Sequence, residues 1–202
     1  MAIALLSLVT PAADLTPEAR QNVQRQTIMQ VEAKAMVFPA FKSTVLIARH
    51  LAGNDLGLTP QTWNETVSAT AGTANTYENS AINGTTARDR YIGIYGVYLA
   101  SSYDSVSGLR FVVGGRRTHQ WDLQAVLHEQ PWTQNREQRT LLAYTAQDGH
   151  VDPVLIPPNT SILIQHYVRG GTQVGIQPSE LVFLGIVVEP FGGGGAQLQP
   201  ND

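Results

Sequence analysis

The sequence predicts a mainly β protein: an antiparallel β-sandwich or jelly-roll-like body with one N-terminal α-helix and extended arms. Three observations predict it. From Tyr91 onward, short runs of β-branched and aromatic residues follow one another without the helical interludes of a parallel α/β sheet. Explicit turn residues separate them, among them Gly114-Gly115, Asp152-Pro153 and Pro157-Pro158-Asn159. One helix start and stop signal stands ahead of them, at Thr16-Pro17 and at Phe38-Pro39.

The chain opens on an apolar run, Ala2 to Val9 (AIALLSLV), that lacks the basic region of a signal peptide. It is far shorter than the about 20 apolar residues that a membrane-spanning helix needs. Such a run seeks a surface, whether the chain's own core, a neighbouring subunit or a lipid face. Leu5, Leu6 and Leu8, with Val23, Val31 and Phe38 of the following helix, are therefore candidate residues of an assembly arm.

Thr16 is an N-cap residue, Pro17 fits the first helical position, and Glu18 suits the positive end of the helix. Val23, Thr27, Val31, Ala35 and Phe38 recur every three to four residues and form one narrow apolar stripe between Gln-rich flanks. Pro39 ends the helix, because it lacks an N–H and drives Phe38 out of the helical region. Residues 1–42 thus form an apolar arm and a helix.

Ser43 to His50 reads as the first strand of a sandwich domain over 43–191. Within it, 53–88 is a long excursion rich in Thr, Ala and Asn, with too few large apolar residues for a core of its own and room for one or two edge strands. Tyr91 to Ala100 is the strongest strand, and its Gly93 and Gly96 imply a bulge or a close backbone approach. Leu109 to Val113, Thr140 to Thr145, Val154 to Ile156, Ser161 to Val168 and Leu181 to Val188 are further strands, and a reversal is expected at Arg169 to Thr172. Residues 192–202 read as a flexible Gly-rich tail.

Composition narrows the chemistry. Without cysteine, the chain has no disulfide, thiolate or zinc–sulfur site. A formal net charge of −3 gives no general pull toward nucleic acid, and Arg88/Arg90, Arg116/Arg117 and Arg136/Arg139 read first as solvated strand ends or salt links. Only 14 % of residues are charged, against about 25 % in an average domain. A surface of amides and hydroxyls costs less to desolvate, which favours coverage by other subunits.

No motif for catalysis, a metal or a cofactor stands out. The five histidines, His50, His119, His128, His150 and His166, have no metal-ligand spacing. Asp148-Gly149-His150-Val151-Asp152 offers too few oxygens for calcium and reads as a turn. Ser107-Gly108 lacks the preceding glycine of a nucleophile elbow. Paired carboxylates drawn from Asp104, Asp122, Glu129, Asp148 and Glu180 are unspecific. Trp63, Trp121 and Trp132, with Tyr77 and Tyr103, are candidate ligand or interface aromatics, for which core or interface packing outweighs sugar stacking.

The block from Tyr91 to Gly192, with YIGIYGVYLASS, LRFVVGG, PVLIPPNTSILI and LVFLGIVVEPFG, resembles small β-sandwich virion proteins of bacteriophages. The resemblance covers about half the chain and implies a capsid decoration (cement) protein or minor capsid component that carries no catalytic residues. It implies a virion location, self-association as a dimer or trimer, and binding to the major capsid protein or other virion subunits. The alternative is a carbohydrate-binding β-sandwich module, free-standing or serving in host recognition. An enzyme whose site is assembled from distant residues is the third reading.

Overall fold

A computed structural model describes residues 9–42, 45–57, 64–67, 76–99, 106–123, 139–145, 149–168 and 179–191. Leu5, Leu6, Leu8, Trp63, Trp132, the turn at 169–172 and the tail 192–202 lie outside the described residues. Its elements in chain order are β1 (Thr10–Pro11), α1 (Pro17–Ala35), β2 (Leu46–His50), β3 (Asn64–Val67), β4 (Thr76–Thr85), β5 (Tyr91–Leu99), β6 (Val106–Val113) and β7 (Arg116–Asp122). They continue with β8 (Thr140–Leu142), β9 (Tyr144–Thr145), β10 (His150–Val151), β11 (Val154–Ile156), β12 (Ser161–Val168) and β13 (Ser179–Pro190).

Every strand pair is antiparallel. In the first sheet β5 and β13 lie side by side at the centre. The free edge of β13 is completed by β3 and then β2, and the free edge of β5 by β8 and β11, with β1 outside β8. The pairs β2/β3 and β8/β11 therefore each act as one interrupted strand. The second sheet runs β4-β12-β6-β7. Along the chain, the connections β3–β4, β4–β5, β5–β6, β7–β8, β11–β12 and β12–β13 pass from one of these sheets to the other, β9 and β10 pair with each other, and β6–β7 is a hairpin within the second sheet. That hairpin turns at Gly114 and Gly115, both at positive φ, as a two-residue turn between twisted strands requires.

The inner faces of the two sheets share one apolar core. Ile92, Ile94, Val97, Leu181 and Phe183 come from the first sheet, and Leu109, Phe111, Trp121, Ile162 and Ile164 from the second. Phe111 links the layers: its ring packs edge-on against Trp121 at 4.6 Å and against Phe183 at 6.2 Å. Trp121 is fully buried here, so it is a core residue and presents no face to a ligand or partner. The Thr/Ala/Asn-rich excursion supplies two edge strands, β3 and β4, and through Ile82 a buried core residue.

Helix α1 covers the outer face of the first sheet, along β5 and β13. Thr16 accepts a hydrogen bond from the Ala19 amide at its start, and Phe38 is extended before Pro39 at its end. Its buried residues, Val23, Thr27, Val31 and Ala35, are spaced four apart, the spacing that keeps side chains on one helical face. Close packing is possible because β5 has Gly93 beneath the helix: a Cβ there would sit 2.5 Å from Val31 Cγ2 and 3.0 Å from Thr27 Cγ2. The Thr27 hydroxyl donates to the Val23 carbonyl at 2.8 Å, so its burial leaves no unmet donor. Further along, Tyr95 is an extra residue in β5 opposite Leu184 and Gly185, a bulge that turns its ring toward the helix side. No helix among the described residues is long and apolar enough to cross a membrane.

Candidate assembly surface

One end of the molecule combines a rigid base with exposed apolar side chains. The base is a knot of four charged residues. Arg49 of β2 holds Asp55 through two hydrogen bonds, of 2.7 and 2.8 Å, and reaches Glu189 of β13 at 3.1 and 3.2 Å. Arg90 adds a 2.8 Å bond to Asp55 and lies 3.6 Å from Glu189. The Asp55 side chain is fully buried and also accepts the Ala52 amide at 2.9 Å. Two positive and two negative charges cancel, as removal from water demands. The hydrogen bonds to Asp55, with those to Glu189, raise the Arg49 pKa against the opposing effect of burial. Of the basic pair Arg88/Arg90, only Arg90 turns into this knot; Arg88 stays exposed.

Beyond Ala35 the helix unwinds. Because Pro39 forces Phe38 out of the helix, the chain bends into a short 3₁₀ turn at Pro39–Phe41 that buries Phe41 completely. Phe41 packs in a cluster with Tyr91, Ile186 and Val188, and Phe38 lies edge-on to Tyr91 at 5.9 Å. With these anchors taken, Met36 and Val37 are left 48 % and 68 % exposed. At the same end Val45 and Phe191, joined by a 2.7 Å backbone hydrogen bond, are 73 % and 67 % exposed. A cleft of ≈ 570 Å³ opens beside them, its apolar wall made by Phe38, Pro39, Ala40, Pro158 and Pro190 and its polar rim by Arg88 and Asp89. Four large apolar side chains are thus left to water at this end, beside an apolar cleft.

Of the described arm residues singled out from sequence, Val23 and Val31 are fully buried against the chain's own first sheet, and Phe38 lines the cleft. Sequence reasoning did not find Met36, Val37, Val45 or Phe191. Their signal was apolar residues that fall off the helical stripe or just beyond a strand's alternation. Among the described residues no group of three potential metal ligands comes together. His119 and Asp152 lie 3.3 Å apart, between β7 and the turn before β11. Neither a protein-family model nor a curated protein sequence matches the chain.

Proposed function

We propose that this chain is a structural protein of a bacteriophage particle, which self-associates and binds the capsid lattice as a cement, decoration or minor capsid protein. The observation that carries this reading is the exposure of Val37, Val45 and Phe191 at the end where Arg49, Asp55, Arg90 and Glu189 form a closed ion-pair knot. A low-charge jelly roll with that end suits repeated, symmetric contacts, in which many weak interfaces add up to a stable shell.

Sedimentation velocity across a concentration series, with mass spectrometry of purified particles, tests the reading. The expected result is a dimer or trimer that Val37→Asp with Phe191→Asp shifts to monomer, and a peptide signal from this chain in the particles. A strictly monomeric protein that is absent from particles overturns it.

A further inference from the structure

The second sheet has a face of different character. Its strands bury Leu109, Phe111, Trp121, Ile162 and Ile164 inward, so the alternate residues point away from the core. The register sets these in transverse rows. Tyr77, Tyr167, Gly108 and Asp122 lie opposite one another across β4, β12, β6 and β7, and Asn79, Gln165, Arg110 and Gln120 form the next row. An ordinary solvated sheet face would show polar residues without further organisation. Here the first row is a built depression.

The rings of Tyr77 and Tyr167 are 5.2 Å apart and inclined at 58°, and the Arg110 guanidinium lies 3.5 Å above the centre of Tyr77. Beside them, Gly108 provides a floor where a side chain would stand. A Cβ at that position would come within 3.3 Å of the Tyr77 hydroxyl and 3.5 Å of the Tyr167 Cβ. The resulting hollow, of ≈ 250 Å³, is lined by Tyr77, Ser107, Gly108, Gln120, Asp122 and Tyr167. Ser107 is only 8 % exposed, and its buried hydroxyl has no hydrogen-bond partner among the described residues. A buried hydroxyl without a partner carries a desolvation cost that a hydroxylated ligand would offset.

We propose that this hollow binds a saccharide, with a pyranose ring laid on Tyr167 and its hydroxyls meeting Asp122, Gln120 and Ser107. The lining discriminates among ligand classes. An aromatic face beside a carboxylate and an amide matches the apolar C–H face and hydroxyl rim of a sugar. A phosphate would meet the Asp122 carboxylate, an apolar molecule would leave polar groups without partners, and a single carboxylate is too little for a metal ion. The site lies on the sheet opposite the one that α1 covers and does not depend on membership of a virus particle.

The test is ¹H–¹⁵N NMR titration of the full chain with free glucose, galactose, mannose, rhamnose and N-acetylglucosamine, each to saturation or to its solubility. At least one sugar should shift the amides of Tyr77, Gly108, Gln120 and Tyr167 together. Tyr167→Ala and Asp122→Ala should each weaken that binding about tenfold or more while leaving thermal unfolding and sedimentation unchanged. Shifts confined to other regions, or no shift with any of these sugars, overturn the proposal. So does a Tyr167→Ala protein that remains folded and binds as tightly as the parent.

Discussion

Gly93→Ala offers the sharpest check on how the helix is held. Gly93 has an ordinary extended backbone, so alanine there adds no backbone strain and should by itself stabilise the strand by about 0.5–1 kcal/mol. The packing argument predicts the opposite sign. A new Cβ 2.5 Å from Val31 Cγ2 and 3.0 Å from Thr27 Cγ2 forces the helix away from β5, and overpacking of this kind costs about 1–3 kcal/mol. The net expectation is a loss of about 1 kcal/mol, or roughly 2–4 °C in Tm for a chain of this size. Val31→Ala alone should cost about 2 kcal/mol by removing buried methyl groups. In the double variant the new methyl occupies space that Val31 has vacated, so the two losses should fall short of their sum by about 1 kcal/mol; Thr27 limits the rescue. Urea unfolding followed by circular dichroism measures all four corners of the cycle. A Gly93→Ala protein as stable as the parent, or losses that simply add, would refute the account of helix docking.

Two further outcomes follow from burial. Asp55→Ala leaves Arg49 and Arg90 facing each other without their shared carboxylate, and should destabilise the fold by about 3 kcal/mol, the low end for a broken buried pair because both arginines are partly exposed; a loss below about 1 kcal/mol in urea unfolding would show the knot to be dispensable. Burial raises the pKa of Tyr91 and Tyr95 above the ordinary value of about 10. The native state therefore keeps these protons when the unfolded chain has lost them. Their contribution is fully present below about pH 10 and is lost as pH rises through the higher native values. Tyrosinate absorbance and circular dichroism recorded over the same alkaline series should change together in the parent and separate in Tyr91→Phe with Tyr95→Phe; ionisation at the ordinary value with the fold intact contradicts the assignment.

What was legible in the sequence was what local chemistry decides. The helix starts at Thr16-Pro17 and yields at Phe38-Pro39 because caps and prolines act within a few residues. Ser161 to Val168 is recovered as β12 without change, since its alternating apolar residues face one core. β4 was harder to see: of its side chains Ile82 reaches the core, so the strand has no hydrophobic period to read. β7 was obscured by its exposed arginines, and Trp121 acquires its meaning only once Phe111 is opposite. The apolar end and the sheet-face hollow were least legible. Val37 and Phe191 are far apart in the chain, and so are Tyr77 and Asp122; only strand order brings each set together.

The position of β13 makes the first sheet depend on contacts between segments far apart in the chain. It follows the other described strands in the chain, yet it fills the slot between β5 and the β2/β3 edge, at the centre of the first sheet. Until residues 179–190 arrive, two facing strand edges stand open and the helix has half a floor. Partners so distant in sequence close slowly, because the entropy of a long loop is lost before the contacts form. The segment at 179–190 thus completes both the sheet and the seat of the helix.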